Sequence, residues 1–395
     1  MDSFISNRTK SVKPSATLAM NALANQLIQE GKNVINLSIG EPDFDTPEFI
    51  KQAAILAIRS GFTKYTPVDG ILPLKQAITN KLRRDNQLDY QSDQIIVSTG
   101  VKQGLYNLIQ ATLNPGDEAI VPAPYWVSYP AMIELAGAKP VIIRSRLVQQ
   151  FKMTAEQLEV AITPKTRFLF LNSPNNPSGM LYSEKELKSL SEVLMNHPSI
   201  LIASDDIYEC IQWTTNQRFV NILNVCPALK ERTVIFNGVS KSYAMTGWRI
   251  GYAAGSRTII SAMKKIQSQS TSSPNSIAQK AAFTAIQAGY SCTQTMISSF
   301  RKRHDFLYQA FKGMSGIECI PSVGTFYLLI DASKTIERLK LESDVELARY
   351  LLNNQNIATV PGSAFGIPNY LRFSYATSLE QLQEAVERLT PVFNV

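Results

Sequence analysis

Histidine is nearly absent: 395 residues hold only two, His197 and His304. His197 lies in the turn signal Asn196-His197-Pro198 and His304 follows the basic stretch Arg301–Arg303, so both read as loop or surface residues rather than catalysts. A Ser-His-Asp relay or a histidine-held metal has little raw material, and no metal is expected. Cysteine is scarce too. Cys210, Cys226, Cys292 and Cys319 form no Cys-x-x-Cys pair, which argues against a disulfide framework and a zinc ribbon. They read as small buried hydrophobes of a reducing compartment. No apolar run approaches the ~20 residues of a membrane span, and Met1–Lys13 lacks the apolar core of a secretory signal. A cytoplasmic protein with no membrane partner is expected. Lys and Arg outnumber Asp and Glu by 39 to 32, a net charge of +7, yet the densest clusters, Lys81–Arg84 and Arg301–Arg303, are short and far apart. Nucleic acid is therefore not an expected partner, and a mildly basic surface with anionic ligands is the simpler reading. Both nucleotide fingerprints, Gly-x-x-x-x-Gly-Lys-Ser/Thr and Gly-x-Gly-x-x-Gly, are missing.

What is present suits a folded chain with a large core: 45% hydrophobic and 18% charged residues, over a length of roughly two or three domain-sized units at ~150 residues each. Residues 48–290 alternate short apolar runs with helical periodicity. The runs are Gln94–Val97, Glu118–Val121, Pro140–Ile143, Arg167–Leu171, Ile200–Ala203 and Thr233–Phe236. Continuous apolarity predicts strands buried on both faces, hence a mostly parallel sheet in an α/β/α domain. Ser183 with Glu186, and Thr154 with Gln157, read as capping boxes opening helices. The flanks differ. A helix over 14–31, a long basic helix after 290, strands at Gly324–Ile330 and Tyr370–Ser374, a helix around Val345–Asn353 and a tail helix capped by Ser378 and Gln381 predict a smaller α+β unit. It is built from both termini, residues 1–47 and 291–395.

Ligands of open parallel sheets bind beyond the carboxyl ends of the strands. The segments following the runs are Ser98–Gly104, Pro122–Trp126, Asn172–Gly179, Ser204–Tyr208 and Asn237–Gly251. Together they offer a small-residue turn opening a helix at Gly100, an aromatic, an amide, a carboxylate with a tyrosine, and Lys241 with Arg249. The Gly100 turn could hold a phosphate on backbone N–H groups, with Ser240 and Arg249 adding a hydroxyl and a charged fork. A lysine beside that phosphate and near an aspartate favours an aldehyde cofactor held as a Schiff base over a nucleotide.

Ser173–Gly179, Asp205–Tyr208 and Ser240–Gly251 resemble the signatures of class I aminotransferases, the fold-type-I pyridoxal-phosphate enzymes. Ile39–Phe44, Lys64–Pro67 and Pro361–Gly366 agree with the same family, so the likeness runs along nearly the whole chain. It is closest to the bacterial aspartate aminotransferase branch. The resemblance implies pyridoxal 5'-phosphate as cofactor and transfer of the amino group of aspartate to 2-oxoglutarate. It implies the following roles. Lys241 forms the Schiff base and moves the proton. Asp205, selected over its neighbour Asp206 by the Asp-x-x-Tyr spacing, pairs with the pyridine nitrogen. Tyr208 and Asn176 bond the phenolic oxygen, and Trp126 stacks on the ring. Gly100, Val101, Ser240 and Arg249 hold the phosphate, although the family more often has Gly or Ala where Val101 stands. Arg372, with Gly40 close by, grips the substrate α-carboxylate. Ser15, Thr17 and Lys102 receive a second carboxylate. Tyr65 reaches the phosphate of a neighbouring subunit, which implies a homodimer. The rival expectations are the same fold acting on prephenate or aromatic amino acids, a carbon–sulfur lyase, and a non-catalytic binding protein.

Overall fold

The computed structural model describes residues 4–12, 16–213 and 219–394, with backbone only for residues 11 and 16–18. Its strands in chain order are β1 (Ile35–Asn36), β2 (Ile95–Ser98), β3 (Glu118–Ala123), β4 (Lys139–Arg144), β5 (Thr166–Asn172), β6 (Leu201–Asp205), β7 (Thr233–Gly238), β8 (Gly251–Ala254), β9 (Glu318–Cys319), β10 (Tyr327–Asp331), β11 (Ile357–Ala358), β12 (Val360–Pro361) and β13 (Tyr370–Ser374). Seven of them form the central sheet in the order β2-β8-β7-β6-β5-β3-β4. The pairs among β7, β6, β5, β3 and β4 are parallel, as continuous apolar runs require of strands covered on both faces. Each expected run reappears within a residue or two.

β8 departs from that expectation. It is antiparallel to both β2 and β7, and its sequence Gly251-Tyr252-Ala253-Ala254 is too small and short to stand out as an apolar run. Gly251 explains the composition: a Cβ there would strike the backbone of Gly100 and Val101, so only glycine lets the strand approach the turn that follows β2.

Both central capping boxes form. Ser183 and Glu186 exchange side-chain bonds with each other's backbone N–H before the helix Glu184–Met195, and Thr154 and Gln157 do the same before Ala155–Ala161. The N-terminal helix runs Ala16–Gln29 and stops short of Gly31. The long basic helix spans Gln294–Lys312, the next Asp344–Gln355, and the tail Leu379–Phe393, where Ser378 accepts from the N–H of Gln381.

Both ends of the chain meet. β1 pairs in parallel with β11, and β12-β13-β10-β9 form a separate antiparallel sheet. Met20, Leu27 and Ile35 share a core with Leu351, Phe373 and Leu389, each worth roughly 1.5–3 kcal/mol once buried. Ile207 and Tyr208, which follow β6, join this same core. The loop after the central sheet is thereby clamped by the terminal unit.

Three expectations need correction. His304 is buried, not superficial: the rings of Trp213, Tyr308 and Tyr375 surround it, and burial pushes its pKa down. Lys81 belongs to no basic surface, because it is buried in an ion pair with Glu209 and bonded to Asn86. The cysteines are free but not deeply buried, and Cys292 is exposed. No helix among the described residues is long and apolar enough to cross a membrane.

Candidate active site

The parallel register sets Asn172 at the end of β5 beside Asp205 at the end of β6, and Asp205 beside Phe236 on β7. Their carboxyl ends open into a cavity of about 270 Å³. Eleven expected residues line it: Gly40, Val101, Lys102, Trp126, Asn176, Asp205, Tyr208, Ser240, Lys241, Arg249 and Arg372. Gly100 stands directly behind Val101. Tyr65 is elsewhere, 96% exposed. Ser15 and the side chain of Thr17 fall outside the described residues.

At one end Asp205 is 4% exposed, and burial lifts its carboxyl to about 6, against the pull of Tyr129, the Ile207 N–H and Lys241. Tyr129 donates to Oδ2 at 2.6 Å, while Oδ1 receives only a long bond (3.4 Å) from the Ile207 N–H. A buried carboxylate with one oxygen so lightly engaged fits a cationic N–H donor from a ligand. Asp206 faces away. It accepts from Ser204 Oγ at 2.7 Å and Asn221 Nδ2 at 2.6 Å and is not on the cavity wall.

The opposite end is built for an anion. Gly100, at φ +78°, caps the helix Val101–Thr112, whose first-turn N–H groups lack intrahelical acceptors. A Cβ on Gly100 would collide with the Arg249 guanidinium. Backbone N–H groups, a guanidinium and the buried Ser240 side by side match a phosphate. Val101 contributes its backbone N–H whatever its side chain.

Between these ends lies Lys241. Its amine donates to the Gly40 carbonyl at 2.5 Å. Burial, reinforced by Arg249 and Arg372 and opposed by Glu41 and Asp205, brings it down to about 8. An amine so tuned is partly neutral, hence nucleophilic, near physiological pH.

Arg372 on β13 is 2% exposed. Nη1 donates to Asn176 Oδ1 at 3.1 Å and Nη2 to the Ser38 carbonyl at 2.7 Å, while Nε has no partner. The Tyr327 ring lies 4.3 Å from its guanidinium carbon and that of Phe365 5.0 Å. A desolvated fork with three of its five N–H groups unused suits a carboxylate. Lys102, in the first turn of its helix, lies over the Trp126 ring at 4.9 Å and has no acidic partner among the described residues. Burial and Arg249 lower its pKa.

Sequence reasoning missed Asn172, Tyr129, Tyr327 and Phe365. Asn172 donates to the Asp205 carbonyl at 2.8 Å and accepts from the Asn176 N–H at 2.9 Å, tying the two loops together. Its signal was its place as the first residue after the Arg167–Leu171 run. Tyr129 and Tyr327 carried none, since their partners are 76 and 119 residues away.

An amine lowered toward neutrality, set between a buried carboxylate and an anion cradle on a fold-type-I scaffold, marks an enzyme of covalent amine chemistry. Comparison with known proteins narrows this. A family model for class I and II aminotransferases matches residues 32–389. The chain is 52% identical to the aspartate/prephenate aminotransferase of Nitrosomonas europaea, with 99% of this chain and 100% of that one aligned. It is 45% identical to the aspartate aminotransferase of Bacillus sp. strain YM-2, over 98% and 99% of the two chains. Among solved structures, the aspartate aminotransferase of Rhizobium meliloti superposes with a TM-score of 0.93 at 44% identity, covering 98% of each chain. That of Thermus thermophilus with maleate does so at 0.93 and 40%, covering 98% and 99%. The chain belongs to the class I and II aminotransferases.

Proposed function

We propose that this aminotransferase moves the amino group of L-aspartate to 2-oxoglutarate, giving oxaloacetate and L-glutamate, with pyridoxal 5'-phosphate held at Lys241. The observation that carries the substrate reading is a pair of cations on one cavity. Arg372 keeps unused N–H groups beyond its two bonds, and Lys102 lines the same cavity, exposed and without an acidic partner among the described residues. Two such receptors suit an acid with a carboxylate at each end. The Thermus thermophilus relative was solved with maleate, which is such an acid.

When bound, the cofactor supplies an aldehyde for the amine and a ring that accepts electron density from the substrate Cα. Asp205 would keep the ring nitrogen protonated. Tyr208 and the Asn176 amide would donate to the phenolic oxygen, and Trp126 would cover the ring. Ser240, Arg249 and the N–H groups at Gly100 and Val101 would hold the phosphate. Arg372 and the Gly40 backbone fix the α-carboxylate, aligning the Cα–H bond with the ring system. Lys241 would serve as the base that moves the proton between the substrate Cα and the cofactor.

The experiment is an initial-rate grid of aspartate against 2-oxoglutarate in wild type and Lys102→Ala. Parallel double-reciprocal lines are expected, and an intersecting pattern would contradict two separate half-reactions. A charge-assisted bond of about 1.5–3 kcal/mol gives a loss of roughly 10- to 100-fold in kcat/KM for dicarboxylic substrates in Lys102→Ala, with phenylalanine affected less than about 3-fold. An equal loss on both substrate classes would remove Lys102 from substrate choice. A second reading, use of prephenate as an additional acceptor, is favoured by the name of the Nitrosomonas europaea relative. The same grid with prephenate tests it.

A homodimer is part of this proposal, as is the division of the chain into residues 48–290 and a unit of residues 1–47 and 291–395. Tyr65, Leu56, Ile58 and Leu72 are exposed despite their apolar bulk. Arg249 also lines a second, open cavity with Phe44 and Trp248, which gives the phosphate end an outer face. Sedimentation is expected to read twice the chain mass, and Tyr65→Phe to weaken cofactor retention about 10-fold. A fully active monomer would contradict this. A cytoplasmic setting belongs to the same reading, since four free thiols suit a reducing compartment.

A further inference from the structure

We propose that Tyr327 is a positioning residue that fixes the direction in which the Tyr208 hydroxyl donates. The inference rests on the reading above, in which Tyr208 serves the phenolic oxygen of the cofactor.

Tyr327 opens β10 and pairs with Ser374 on β13, while Leu329 pairs with Arg372. Tyr327 and Arg372 are therefore diagonal neighbours on one face of the sheet. This places the guanidinium carbon 4.3 Å from the Tyr327 ring centre. The Tyr327 hydroxyl lies 3.0 Å from that of Tyr208, and both residues are at most 3% exposed. Gly40 closes the remaining side: a Cβ placed there would come within 3.0 Å of the same Tyr327 hydroxyl.

Each phenol has one proton to give. At 3.0 Å one hydroxyl donates to the other, and the pair alone does not decide which. If Tyr208 donated to Tyr327, it would have no proton left for a ligand oxygen. The Arg372 cation acts on both phenols, but it lies against the Tyr327 ring, so it draws electron density most from that phenol and favours it as the donor. Tyr327 then donates to Tyr208, and Tyr208 donates onward into the cavity, each bond polarising the next. Donation to the phenolic oxygen withdraws negative charge from it, so a proton held close by on the Lys241 nitrogen is released at lower pH. The Tyr327 hydroxyl acts on that proton through Tyr208.

The test is an absorbance titration of the holoenzyme against pH, with aspartate kinetics, for wild type, Tyr327→Phe, Tyr208→Phe and the double variant. Tyr327→Phe keeps the ring under Arg372, so KM for aspartate is expected to stay within about 2-fold. The midpoint of the visible band is expected to move up by about half a pH unit or more. In the Tyr208→Phe background the same change should leave the midpoint within about 0.1 unit. An unmoved midpoint in Tyr327→Phe, an equal shift with Tyr208 absent, or a KM rise above about 10-fold without a shift would each overturn the proposal. A wild-type protein without any visible pH-dependent band would instead overturn the cofactor reading, and this inference with it.

Discussion

Lys241→Ala is expected to lower kcat by at least about 10⁴-fold without unfolding the protein. Two tasks reside in one nitrogen. It forms the bond to the cofactor, and it carries the proton between Cα and C4′, a task that alone accounts for about 10²- to 10⁴-fold in enzymes that use a positioned base. No neighbour can substitute. Lys102 is tied to the Trp126 face, and the arginines do not deprotonate. The same residue makes a pH-dependent statement about stability. The folded amine titrates at about 8 against an ordinary 10.5. The unfolded chain thus binds the proton more tightly, and folding carries the cost of a charged buried amine at all pH values below about 8. That cost fades as pH rises from about 8 to 10.5. The cofactor-free Lys241→Met chain, which keeps the stem, is therefore expected to be more stable than wild type at pH 7, by up to about 3 kcal/mol. The gap should close by pH 10.5. Urea titrations of both apoproteins at the two pH values decide it, and a gap that grows with pH would show that the amine is not desolvated.

Asp205→Asn carries the second large effect, a loss of about 10³-fold in kcat with KM little changed. The exchange is isosteric, and the Tyr129 hydroxyl can keep a bond to the new amide. What disappears is the negative charge that holds a proton on the far end of the ring, an effect felt mainly in the transition state and typically worth 10²- to 10³-fold or more. Here too burial sets a sign. The folded carboxyl titrates at about 6 against 3.8 when unfolded. The folded chain binds the proton more tightly, so stability falls as pH rises from about 4 to 6 and the full cost stands above 6. Cofactor-free Asp205→Asn should accordingly be at least as stable as wild type at pH 8, its advantage vanishing near pH 4. Steady-state kinetics with thermal melts of the apoprotein separate this from misfolding. Retained kcat would remove Asp205 from the chemistry.

The sheet was legible because its strands are unbroken apolar runs, and the motif residues were legible because they follow those runs. Asp205 ends the buried strand β6 and Lys241 follows the buried strand β7 by three residues, where chain direction alone puts ligand contacts. β8 was not, because two alanines and a glycine leave no hydrophobic signature while their smallness is what admits the strand. The two-residue strands β1, β9, β11 and β12 were equally silent, being ladders between distant segments rather than local patterns. Tyr129 and Tyr327 owe their roles wholly to tertiary contact. His304 misled for a related reason: a basic flank suggested solvent, but the ring packs among those of Trp213, Tyr308 and Tyr375.

The account stands on Lys241 as the residue that holds the cofactor. Holoenzyme reduced with borohydride, digested and mapped by mass spectrometry measures this directly. A single pyridoxyl-phosphate modification on the peptide containing Ser240-Lys241-Ser242 is the predicted result, and modification of a different lysine, or of none, would contradict it.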